Sequence, residues 1–113
     1  MARPIVIMLA LALLSAGDSY AAEPGKDAAI KPSFDCATAK SKVNLLICGD
    51  ASLAALDVQE AQMLRRARAK AAQPEAVNAD EDVWLGERNT CASAACLSRA
   101  YRRRLYDLRA WTN

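Results

Sequence analysis

Near its end the chain places Leu97, Tyr101, Leu105, Leu108 and Trp111 at steps of four, four, three and three. That rhythm puts five large apolar side chains on one stripe of a helix. Ser93 stands before the stripe as its predicted N-cap. An earlier stretch repeats the pattern with Leu53, Leu56, Met63, Ala67 and Ala71, and with Leu64 beside them. It predicts a second long helix, opened by Asp50 as N-cap, running to about Ala72 and closed by Pro74. A short helix over about Ser41–Cys48 precedes it, with Val43, Leu45, Leu46 and Ile47 as its apolar block and Gly49 as its stop. Between the long helices, Asn78 with Glu81 three residues on resembles a capping box. It starts a helix that sets Trp84, Arg88 and Cys91 on one side, with Gly86 as an expected point of close packing. No strand alternation, Asn-Gly turn or glycine-rich phosphate loop interrupts these elements. The predicted fold class is all-α, a small bundle of about four helices.

The start of the chain follows a different rule. Arg3, the apolar run Pro4–Leu14 and the small residues Ser19 and Ala21 have the anatomy of a secretory signal. The run is short for a membrane span. No cysteine follows it to carry a lipid. The expectation is a cleaved signal over 1–21, with Ala22 as an alternative cleavage point, then a flexible Pro/Gly/Lys/Ala-rich leader over 22–33 and one domain over 34–113. The protein is therefore expected in the periplasm or secreted. Net charge is +2, and the signal carries one Arg and one Asp, so its removal leaves that balance unchanged. Export and weak charge argue against a nucleic-acid partner.

About 92 residues form a marginal core unless cross-linked, and all four cysteines survive cleavage. Their spacing, C-x11-C and C-x4-C, is not that of a zinc knuckle, and the chain has no histidine. A redox C-x-x-C is also missing. Disulfides are the expectation for an exported small domain. Four cysteines allow three pairings. Cys91 and Cys96 bracket a tight turn between helices. Cys36 and Cys48 would stand roughly 18 Å apart along one continuous helix, so they can bond only if residues 36–40 fold back on a helix starting near Ser41. Cys36–Cys48 with Cys91–Cys96 is the favoured pairing, and the alternative ties the first helix to the 91–96 turn. In the chain-entropy model the two favoured loops are worth about 3 and about 2 kcal/mol.

Taken together, SFDCATAKSKVNLLIC at 33–48, LAALD at 53–57, WLGERNTC at 84–91 and CLSRAYRRRLYDLR at 96–109 resemble the LprI-like lysozyme-inhibitor domain family. The resemblance covers about 34–109 and rests on the four cysteines combined with W-x3-R-x2-C and C-L-x3-Y. It implies an exported, helical, disulfide-bonded domain and, for at least one member type, inhibition of lysozyme. Cys36, Cys48, Cys91, Cys96, Asp57, Trp84, Arg88 and Tyr101 sit on the family's recurring positions. Asn44 stands where a glutamate is usual, and Leu64 where a tyrosine is usual.

Two candidate binding groups follow from the residues. Arg99, Arg102, Tyr106 and Arg109 share one face of the last helix. That face is either solvated surface, with Arg103 and Asp107 as an i, i+4 pair, or a stripe for anionic envelope polymers, lipid headgroups or a muramidase's carboxylates. Trp84 and Arg88, one turn apart, are either a cation–π platform for a ligand or core residues with Arg88 paired to an acid such as Asp57. Asp80, Glu81 and Asp82 are explained by a helix start. With no histidine, no nucleophile elbow and no free thiol expected, catalysis is not predicted. No metal or cofactor site is predicted either. The leading reading is an exported binding protein that occludes a muramidase without catalysis. The alternative is an envelope module that binds anionic polymers or a protein partner through the basic last helix.

Overall fold

The computed structural model describes Ala2 and residues 30–113; the rest of the expected signal over 1–21 and most of the expected leader over 22–33 lie outside the described residues. Among the described residues the chain forms four α-helices and no strands. They are α1 (Lys42–Cys48), α2 (Ala51–Lys70), α3 (Pro74–Arg88) and α4 (Ala94–Thr112), preceded by a 3-10 turn at Cys36–Thr38.

Local chemistry sets most of the boundaries. The Ser41 side chain accepts from the Asn44 N–H, Asp50 from the N–H groups of Ser52 and Leu53, and Ser93 from the Cys96 N–H. Each satisfies donors that have no partner inside the helix. Gly49 closes α1 as predicted. Asp35 caps the 3-10 turn, and Ala39 and Ser41 then take extended backbone, so the chain reverses into α1. That reversal brings Cys36 onto the end of α1, where it bonds Cys48 with Cα atoms 5.8 Å apart. Cys91 and Cys96 bond across the α3–α4 turn at 5.5 Å. The favoured pairing is the one formed.

The third helix departs from expectation. It begins at Pro74, four residues before Asn78, and Gln73 makes no side-chain cap. Proline lacks an N–H that the first helical turn does not use, and its fixed φ suits that position. Pro74 therefore opens α3 as well as ending what precedes it. Asn78 lies inside the helix, and its Oδ1 accepts from Arg68 Nε at 2.6 Å. Gly86 does not mark close packing: a Cβ there would meet nothing within 4 Å, and the residue is exposed. Gly86→Ala is thus expected to raise stability by about 0.5–1 kcal/mol through helix propensity alone. A urea melt with an unchanged midpoint would contradict that.

Contacts between helices give the topology. Asp57 meets Tyr101, Arg104 approaches Glu60, and Lys70 reaches Thr112, so α2 and α4 run parallel. Arg104 with Glu81 and Arg88 with Tyr101 make α3 antiparallel to α4. The core has two apolar clusters. One joins Val43, Ile47, Leu53, Trp84, Cys91, Leu97 and Tyr101. The other joins Leu64, Ala67, Val77 and Leu108, with Met63, Ala71 and Trp111 packed on it. Asp57, Glu60, Glu81 and Arg104 are buried along the same helices between the positions that build the two clusters, and Arg88 is buried between Trp84 and Cys91 of the first.

At the start of the packed domain, Pro32 is buried and the Ser33 N–H donates to Asp57 Oδ2 at 2.6 Å. The domain therefore takes in the last residues assigned to the leader.

Candidate functional site

Two regions collect the chemistry: the buried polar belt with the cleft above it, and the outer face of α4. The belt is built around two arginines. Arg88 donates from Nη1 to the Tyr101 hydroxyl at 3.1 Å, from Nε and Nη2 to Asn89 Oδ1, and from Nη2 to Asn44 Oδ1 at 3.5 Å. Tyr101 in turn donates to Asp57 Oδ1 at 2.7 Å. Arg88 reaches Asp57 itself only at 4.0 Å, so the phenol relays most of that pairing. Burial, and then the hydrogen bond to the Asp57 carboxylate, push the Tyr101 hydroxyl well above its ordinary value.

Arg104 is the second hub. It is only 2 % exposed, unlike Arg99, Arg102, Arg103 and Arg109 on the same helix. Leu105, expected in the buried stripe, is half-buried. Arg104 donates from Nη1 to Asp80 at 2.6 Å and from Nη2 to Glu81 at 2.7 Å. Burial works against its charge, but those two hydrogen bonds outweigh it and hold the guanidinium above its ordinary value. The acids at 80 and 81 are therefore partners of Arg104 in mid-helix, not residues of a helix start. Glu60, 5 % exposed, lies 3.7 Å from Arg104 Nε, beyond hydrogen-bond distance. Both Glu60 Oε1 and Arg104 Nε are buried without a hydrogen-bond partner. Burial first, then the hydrogen bond and charge of Glu81, push the Glu60 carboxyl up to about 8 against the pull of Arg104.

Trp84 and Arg88 are both buried, so neither presents an open platform. The Trp84 indole N–H donates to the Ala100 carbonyl at 3.3 Å, and its ring meets Tyr101 edge-on at 5.2 Å. The guanidinium groups of Arg88 and Arg104 stand 5.9 and 5.6 Å from the ring centroid. The cation–π geometry exists, but inside the core. A cleft of about 550 Å³ opens over the belt, with Phe34, Asn44, Leu64, Glu60, Glu81 and Arg88 among its lining residues. Asn44 and Leu64, the two departures from the resembled family, therefore sit in one cleft.

The outer face of α4 is the region that meets solvent. Arg99, Arg102, Tyr106 and Arg109 are all exposed, Tyr106 at 71 %. Arg102 Nε donates to Ser98 Oγ at 3.2 Å. Among the described residues no carboxylate lies within ion-pair distance of these arginines, and Arg103 and Asp107 do not pair. The sequence grouped these four residues, and the helix delivers them to one face. It also pointed to Asp57 as a core partner of Arg88, but it missed Glu60, Glu81 and Arg104, whose signal was opposite charge at core positions of neighbouring helices. Among the described residues no cluster of three or more potential metal ligands occurs, and no helix is long and apolar enough to cross a membrane. Two disulfides and no free cysteine fit an oxidising compartment. Compared with known proteins, the chain matches no family model, no curated protein and no solved structure.

Proposed function

We propose that the protein is an exported binding protein that blocks a muramidase by steric occlusion, without catalysis, as its resemblance to the LprI-like domain implies. The observation that carries this reading is the outer face of α4. Tyr106 stands 71 % exposed, with Arg102 and Arg109 on the turns either side and neither paired to a carboxylate among the described residues. A rigid aromatic flanked by guanidinium groups is the composition of binding hot spots. Glycosidase clefts present two carboxylates, and guanidinium binds carboxylate in a two-pronged geometry that lysine lacks. The buried ion network and two disulfides hold α4 on a rigid scaffold, which limits the ordering cost of association.

The test is lysozyme activity on cell-wall substrate against increasing oxidised protein, with a reduced and alkylated sample beside it. Saturable inhibition is expected, lost on reduction and weakened at least tenfold by Arg102→Ala combined with Tyr106→Ala, the scale of about 1.4 kcal/mol or more. No inhibition at large molar excess, with both disulfides intact, would sink the muramidase reading. The unpaired arginines also favour a second reading, an envelope module for anionic polymers. Polymer binding would fall steeply with salt, whereas a desolvated hot-spot contact would lose much less.

A further inference from the structure

Beside the α4 face, a groove of about 240 Å³ runs between α2 and α4. Its base is apolar, from Met63 and Leu105, and Arg66 and Arg109 stand on opposite walls. Gln59 and Gln62 complete the lining, and no acidic residue contributes. Arg66 makes only a long contact, from Nη1 to Met63 Sδ at 3.9 Å. Neither arginine has a carboxylate within ion-pair distance among the described residues. Lys70, further along α2, is held by the Thr112 carbonyl at the end of α4 and so leaves the groove's anion-binding capacity to the two arginines.

We infer that this groove takes the side chain of an acidic protein segment, its carboxylate clamped between Arg66 and Arg109 and its aliphatic stem laid on Met63 and Leu105. The inference rests on reading α4 as the partner-facing side, and it names the chemistry of what the partner inserts. Three features favour a polypeptide over a phosphate-rich polymer. The apolar base matches the methylenes of a glutamate and nothing in a phosphate chain. The Gln59 and Gln62 amides both donate and accept, which suits a peptide backbone. The volume lies below the range of small-molecule sites, about 300–1,000 Å³, and fits one inserted side chain. Two guanidinium groups, with no carboxylate within ion-pair distance among the described residues, supply the charge complementarity, and each can hold a carboxylate through paired N–H donors.

The experiment is an NMR titration of the oxidised protein with poly-L-glutamate, with inorganic polyphosphate in a parallel arm. Saturable shifts of the Met63 methyl and of the Arg66 and Arg109 Nε–H signals are expected. Arg66→Glu, a change at an exposed residue of α2, should weaken poly-glutamate binding roughly tenfold, and Arg66→Glu with Arg109→Glu should abolish it. Unmoved groove signals, or polyphosphate shifting them as strongly as poly-glutamate, would overturn the inference. The two readings fail separately. Groove shifts without lysozyme inhibition would sink only the muramidase partner, while inhibition that survives Arg66→Glu, a residue of the groove alone, would sink only the groove.

Discussion

Arg104→Ala is expected to cost about 3–5 kcal/mol of folding stability, the range for removing one partner of a buried ion pair. The side chain is buried and serves Asp80 and Glu81 by hydrogen bonds, with Glu60 3.7 Å from its Nε. Its loss takes the hydrogen-bond donor from Asp80 and from the buried Glu81, and removes one of two guanidinium groups over Trp84. Small domains are stable by about 5–15 kcal/mol in all, so the variant should be substantially unfolded in mild urea. Arg104→Lys should recover only part of the loss, because a single ammonium cannot serve two carboxylates in the fork geometry. Replacing Arg104, Glu60 and Glu81 together by Met, Leu and Leu should recover most of it, since a packed apolar layer needs no charge compensation. Urea midpoints of the three variants test this. A loss near 1 kcal/mol for Arg104→Ala would mean that water reaches the belt and screens it.

Arg104 is buried where the apolar pattern places Leu105. The large apolar residues of α4 select Leu105 as the step between Tyr101 and Leu108. Arg104 satisfies the same spacing one residue earlier, at steps of three and four, and the fold buries it instead. In α2 the buried residues are Leu53, Ala54, Asp57, Glu60, Leu64 and Ala67, so two acids occupy the middle of the stripe. Read one helix at a time, a charged residue is assigned outward, because isolated buried charge is costly. Only a charge of opposite sign at the matching level of a neighbouring helix removes that objection, and such matching needs the parallel packing of α2 on α4. By contrast, Ser41, Asp50 and Ser93 act on N–H groups two or three residues away, so their caps were legible without tertiary context. The cysteine pairing was favoured, with one alternative left open, because a helix starting at Ser41 lets residues 36–40 fold back on it and because Cys91 and Cys96 bracket a tight turn. The start of α3 was not, since Pro74 permits both an end and a beginning.

Glu60 gives the second large effect, which appears as a dependence on pH. Burial and the neighbouring Glu81 push its carboxyl in the fold up to about 8, from an ordinary value of 4.5. Between those values the folded protein holds a proton that the unfolded chain has released. Stability therefore falls as pH rises, at up to about 1.4 kcal/mol per pH unit for one proton. The contribution is fully present below about 4.5 and is lost as pH passes 8. Arg104 of α4 opposes the shift, while Glu81 of α3 and Asp57 of α2 reinforce it. Unfolding midpoints should drop steadily from pH 5 to pH 8 and then level. Glu60→Gln should flatten that slope, because an amide can still donate to Glu81 and cannot ionise. It should be close to neutral near pH 5 and clearly stabilising at pH 8. A wild-type profile that is flat or rising across this window would show Glu60 ionised in the fold, with Arg104 prevailing over burial and Glu81.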